Sequence, residues 1–117
     1  MTFGKNSVVG ILDRNTLRGR LYKDFLLQDG ILAETYRNLD SLSQRPVHLL
    51  LHTYDDEDTL KDLVLKYKSG SFIKIFIIAE DLPESPLLPF LPIVGLASKK
   101  QSSLASILAE LRAHITN

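Results

Sequence analysis

Five short apolar runs, separated by segments of helical period, organise the chain. The first run, Ser7 to Leu12, leads into the polar loop Asp13-Arg14-Asn15. From Thr16 onward, Leu17, Leu21 and Phe25, with Leu26, recur at helical spacing and predict a helix that turns these residues to a core. Asp29-Gly30 ends that helix, glycine suiting a left-handed cap. Ile31 to Tyr36 alternates as a short strand near a sheet edge, and Asn38-Leu39-Asp40-Ser41-Leu42 predicts a weak, short helix. Pro46-Val47-His48-Leu49-Leu50-Leu51-His52 reads as a buried parallel strand that delivers His52 to the carboxyl edge, with proline at the strand start, where it is tolerated.

Asp55-Asp56-Glu57-Asp58 place acids in the first turn of the next helix, where the dipole favours them. Its buried face is expected to be Leu60, Leu63, Val64 and Tyr67, and Ser69-Gly70 closes it. Phe72 to Ala79 is continuous, aromatic and β-branched, as a central strand is. Glu80 to Pro92 then carries Pro83, Pro86, Pro89 and Pro92, a spacing that forbids an ordinary helix. Ile93 to Ala97 is the fifth strand, and Leu104, Ile107, Leu108 and Leu111 give the last helix its core face. Strands alternating with helices predict an α/β fold with a parallel sheet, and 117 residues suit one domain, 1–117, with a single core.

Composition narrows the function classes. Apolar residues at 44% and charged residues at 24% are globular values, so disorder is not expected. Net charge is zero without a basic block, which argues against direct nucleic-acid binding. The absence of cysteine excludes disulfides, thiolate metal sites and cysteine nucleophiles, and fits a reducing compartment. The N-terminal stretch lacks an apolar signal core and no run is long enough to span a bilayer, so no membrane partner and a cytoplasmic location are expected, alone or within a larger protein. His48, His52 and His114 are scattered, and the acidic run lacks the alternate ligands and glycine of a calcium loop, so no metal site is expected. Asp13-Arg14-Asn15-Thr16 has no glycine to cradle a phosphate, and no Gly-x-Ser-x-Gly elbow is present. The expectation is a non-enzyme with no catalytic residues and no cofactor.

Five βα units in this length resemble the receiver domain of bacterial response regulators, from about Ser7 to Ile115. The resemblance implies a flavodoxin-like (βα)5 three-layer sandwich with sheet order 2-1-3-4-5. In that family an acidic pair after the first strand binds magnesium, an aspartate ending the third strand accepts phosphate, a Ser or Thr ends the fourth, and a lysine ends the fifth. All sit at the carboxyl edge of the sheet. Asp13 matches the first acid, but Arg14 stands where the second belongs. His52 replaces the acceptor, and Ile78 occupies the hydroxyl position, followed by Ala79. Gly95-Leu96-Ala97-Ser98-Lys99 resembles the run into the family's lysine, matched by Lys99, with Lys100 where a proline is common.

These departures imply a degenerate, or pseudo-, receiver. Magnesium wants carboxylate oxygens, and Asp13 beside Arg14 and Lys99 offers a neutralised one. Those three residues are expected to form either a locked ion cluster or a solvated charge group. His52 is open to reading as a phosphohistidine or pH sensor; the preferred reading is a polar strand-end residue hydrogen-bonded to neighbouring loops. A shifted alignment would instead make Asp55 the acceptor.

The resemblance also places dimer and output contacts on the fourth helix, fifth strand and fifth helix. Here the fourth helix is expected to be short or absent, leaving Leu82 in an apolar, proline-rich segment. The dimer face is expected at Leu87, Leu88, Phe90, Leu91, Ile93, Leu96 and Leu104; a compatible alternative is that the segment folds onto the sheet to cover the missing helix. Lost acids with an interrupted fourth helix are similar to the atypical receivers of LuxR-type transcriptional regulators. The tryptophan that begins the cyclic-dinucleotide tetrad of some of them is missing, so that ligand is not carried over. The function expected is a phosphorylation-independent regulatory and homodimerisation domain, contacting a protein partner or an appended DNA-binding domain. The alternatives are a working phosphoreceiver using Asp55 or His52, and a small-ligand sensor of flavodoxin-like fold.

Overall fold

All strands pair in parallel, in the order β2-β1-β3-β4-β5, within a computed structural model that describes residues 9–36, 38, 47–54, 56–81 and 84–115. The strands are β1 (Val9–Leu12), β2 (Ala33–Tyr36), β3 (Val47–Thr53), β4 (Phe72–Ala79) and β5 (Ile93–Ser98). The helices are α1 (Thr16–Gln28), α2 (Glu57–Lys68) and α3 (Leu104–Ile115). This is the expected flavodoxin-like order. The predicted short helix lies, beyond Asn38, outside the described residues, as do Ser7, Pro46, Asp55, Leu82 and Pro83. Among the described residues no helix is long and apolar enough to cross a membrane.

Two cores sandwich the sheet. On one face Val9, Ile11, Leu49, Leu51, Phe76 and Ile78 meet Tyr22 and Leu26 of α1 and Ile107 and Leu111 of α3. On the other, Leu50, Ile75 and Ile77 meet Leu60, Leu63 and Val64 of α2. From Leu49 in β3 and from Ile75 in β4 onward, the central strands supply both cores by alternation. Local signals set the helix ends. Asn15 caps α1 by accepting from the Arg18 amide at 3.1 Å, and Asp56 caps α2 by accepting from the Thr59 amide at 2.8 Å. Gly30 follows α1 at φ +76°, the left-handed region predicted for it.

The core face of α1 differs from the expected one. Gly19, Tyr22 and Leu26 face the sheet, while Leu17 is 77% exposed and Leu21 and Phe25 also face solvent. The helix carries two adjacent apolar rows: of the expected residues Leu26 lies on the buried row, whereas Leu17, Leu21 and Phe25 lie on the outer one. Of the predicted α2 face, Leu60, Leu63 and Val64 are buried but Tyr67 is exposed, its ring 5.8 Å from that of Phe72.

Between β4 and β5 the described residues hold one 3-10 turn, Leu88–Phe90, where a helix would otherwise lie. Leu87, Leu88 and Leu91 pack onto the core on the α2 side. Ser85 ties the segment down by donating to Glu57 at the start of α2 while accepting from the Leu87 amide at 3.1 Å. The segment therefore covers the sheet, as the alternative expectation had it. A register shift between Ile75 and Phe76 opposes Ile75 to Ile93 but Phe76 to Gly95. This bulge turns Ile93 and Leu96 to the same core although they are three residues apart.

Gly95 answers a steric demand. A Cβ there would lie 2.2 Å from Cε2 of the fully buried Phe76. Gly95→Ala is expected to cost about 1–3 kcal/mol through forced repacking, read as a lower urea midpoint with unchanged slope.

Candidate functional site

The carboxyl ends of β1, β3, β4 and β5 bring Asp13, His52, Thr53, Ile78 and Lys99 to one edge of the sheet. Asp13 follows β1 directly, its side chain only 1% exposed. Both its oxygens are engaged. Oδ1 accepts from the Asn15 amide at 2.8 Å and from Arg18 Nη2 at 2.7 Å, and Oδ2 accepts from Arg18 Nε at 2.6 Å. Burial pushes the Asp13 carboxyl up, but the Arg18 fork, the Asn15 amide and the neighbouring Thr53 hydroxyl outweigh it and hold the group below its ordinary value. The site thus contains a carboxylate whose ionised form is favoured, with its cation already in place.

That cation is neither of the two expected. Arg14 points into solvent and pairs with Asp56 at 3.1 Å, and Lys99 Nζ lies 3.8 Å from Glu80 Oε1. Of the two arrangements expected for Asp13, Arg14 and Lys99, the locked cluster does not form; three separate pairs take its place, with Arg18 on the buried Asp13 and Arg14 largely in solvent. A helix side chain leans towards the helix N-terminus, so an arginine in the first turn of α1 reaches back to the strand that precedes it. This directional rule was the available signal for Arg18, and strand-end matching alone passes over it.

His52 does not sit at the strand end. β3 continues to Thr53, and His52 stands in register with Leu12 and Ile77, buried. Its Nδ1 lies 3.4 Å from the Leu12 carbonyl oxygen, which can only accept, so Nδ1 carries the proton. Nε2 is then a bare acceptor, and it has no hydrogen-bond partner. Burial pushes the imidazole down to about 4; the Leu12 carbonyl and the charges of Asp13 and Asp56 oppose that only in part. The expected loop hydrogen bonds are therefore missing, and the ring is a neutral core group near pH 7.

Thr53, on the opposite face of β3, was not singled out by the sequence. Its hydroxyl is in electrostatic contact with Asp13 and the Tyr22 phenol but makes no hydrogen bond of normal geometry. Ile78, beside Thr53 in register, is fully buried and presents only hydrocarbon. Ser98 is spent locally: its hydroxyl donates to the Glu80 carbonyl at 2.8 Å and accepts from the Lys100 amide at 3.2 Å.

This donor set does not fit magnesium. Its one buried carboxylate has both oxygens committed to cationic or amide donors, and an imidazole is a poor partner for a hard cation. Among the described residues no group of three or more histidine or acidic side chains is placed to hold a metal ion. Asp55, the alternative acceptor, lies outside the described residues.

The expected dimer face is divided. Leu91 is buried in the α2-side core, and Leu104 packs on the opposite side of the sheet, so neither belongs to a common surface. Leu87, Leu88, Ile93 and Leu96 remain half-buried together, and Phe90 projects at 61% exposure.

No protein-family model and no curated protein matches the sequence. In three dimensions the chain is similar to HP1043, an orphan response regulator of H. pylori, with a TM-score of 0.68 and 17% identity over 93% of this chain and 96% of that one. It is also similar to an atypical orphan response regulator whose structure revealed a phosphorylation-independent regulatory mechanism, with a TM-score of 0.59 and 19% identity over 94% of this chain and 99% of that one. At such identities the shared property is the fold, the doubly wound sheet of a receiver.

Proposed function

We propose that this receiver-fold domain is a regulatory module that works without phosphorylation and signals by self-association. The observation that carries the reading is the Arg18–Asp13 fork: the carboxylate that would begin a magnesium site is already neutralised, while the acceptor position holds a buried, neutral imidazole. The similarity to regulators described as orphan and phosphorylation-independent supports it.

Self-association is assigned to the surface of Leu87, Leu88, Phe90, Ile93 and Leu96. An exposed phenylalanine following the half-buried Leu87 and Leu88 in the chain has the composition of an interface centre. Output passes to a protein partner or an appended DNA-binding domain, and the chain itself, without net charge, makes no direct nucleic-acid contact.

Two measurements test this. Incubation with acetyl phosphate and magnesium is expected to leave the intact mass unchanged; stable phosphate on Asp55 or His52 would overturn the proposal. In sedimentation velocity, Phe90→Glu and Leu88→Arg are each expected to weaken self-association at least about tenfold, some 1.4 kcal/mol, with the fold intact. An unchanged oligomer in both variants would remove this surface from the function.

A further inference from the structure

A cavity of about 350 Å³ opens between α1 and the start of α3, on the side of the sheet away from α2. Its apolar lining comes from Leu21, Tyr22, Leu104 and Ile107. Its polar lining is Arg18, Lys99, Ser102 and Ser103. The lining thus has two cations and no acid. Carboxylates paired with those cations stand outside it: Asp13, whose fork takes Nε and Nη2 of Arg18, and Glu80 beside Lys99.

The two pairs are unequal. Asp13 is buried and forked, and it fixes the orientation of the guanidinium. Glu80 is 69% exposed and 3.8 Å from the Lys99 ammonium, so solvent screens the pair and holds it weakly. The volume falls within the range of about 300–1,000 Å³ typical of small-molecule sites, which combine apolar walls with a few convergent polar groups.

We propose that this cavity binds a small organic anion, with its carboxylate or phosphate between Arg18 and Lys99 and its apolar body against Leu21, Tyr22, Leu104 and Ile107. The assignment stands independently of self-association. It also differs from covalent phosphorylation, since the anion is held without any bond being made. Its apolar body distinguishes it from inorganic phosphate.

The test is a titration of the full chain followed by amide chemical shifts. Four probes separate the contributions: octanoate, octyl phosphate, octanol (the body without the charge) and acetate (the charge without the body). Octanoate or octyl phosphate is expected to bind saturably, with shifts centred on Arg18–Tyr22 and Lys99–Leu104; whichever binds tighter identifies the head group. Octanol and acetate are each expected to bind at least roughly tenfold more weakly, as loss of one charge-assisted contact or of the apolar lining requires. Lys99→Ala should weaken the preferred probe roughly tenfold, whereas Lys100→Ala, whose ammonium pairs with Asp81, should not change it. Leu104→Trp, at a half-buried position, should abolish binding by filling the cavity while other amides keep their positions. The proposal is overturned if neither octanoate nor octyl phosphate binds, or if octanol or acetate binds as tightly. Shifts centred on β5, or equal losses in the two lysine variants, would also overturn it.

Discussion

His52→Leu is expected to make the domain about 2 kcal/mol more stable than the wild type at pH 5, beyond any difference at pH 8. The unfolded chain binds a proton at His52 near 6.5, whereas the folded chain binds one only near about 4. Between those values the unfolded state holds more protons, so wild-type stability falls as the pH drops, by about 3 kcal/mol once both states are protonated. Above 6.5 the ring is neutral in both states and the penalty vanishes. Leucine has similar volume and no proton to gain. It also removes the partnerless Nε2, which adds a smaller, pH-independent stabilisation of about 1 kcal/mol. Urea unfolding of both proteins at pH 5, 6, 7 and 8 measures the effect. Parallel stability curves across this range would show that His52 is not a buried neutral group.

Arg18→Met acts in the opposite direction. It leaves Asp13 buried without its cation, and removal of one partner from a buried pair costs about 3–5 kcal/mol. Arg18 is itself 28% exposed, so water can partly replace it, and roughly 2–3 kcal/mol is expected at pH 7. The pH dependence carries the sign of the lowered Asp13 value. In the wild type this contribution is fully present above the unfolded carboxyl value and disappears as the pH falls through the folded one. In the variant only the Asn15 amide and Thr53 still oppose burial, so the stabilisation gained from ionised Asp13 shrinks and the two proteins converge in acid. Asp13→Asn combined with Arg18→Met should recover much of the loss, and a double-mutant cycle with no coupling would contradict the fork.

Much of the fold is legible in the sequence because β3 and β4 are continuous apolar runs that only a sheet covered on both faces can bury. The prolines between Glu80 and Pro92 likewise exclude a fourth helix, as the 3-10 turn bears out. The misreadings have physical causes. Leu21-Tyr22 and Phe25-Leu26 put apolar side chains on two neighbouring rows of α1, and periodicity does not say which row meets the sheet. The division of the expected dimer face depends on which layer each residue occupies, so Leu104 shares sequence proximity but not a surface with Leu96. Arg14 and Lys99 were assigned to Asp13 by adjacency, yet Arg14 leaves the strand end for solvent while Arg18 returns to it. His52 was placed by the end of its apolar run. One further paired residue, Thr53, moves it from the edge into the interior.

The solvent-facing row of α1 has a consequence for how copies of the domain meet. Leu17, Leu21 and Phe25 lie in the layer opposite Leu88 and Phe90, so the domain offers two apolar surfaces that face away from each other. Among the described residues these two surfaces give it a valence of two for such contacts. A two-fold dimer through one surface leaves the other still open, and growth through both would be head-to-tail, without closure. With no net charge near neutral pH to keep copies apart, association through both surfaces would build open chains rather than closed pairs.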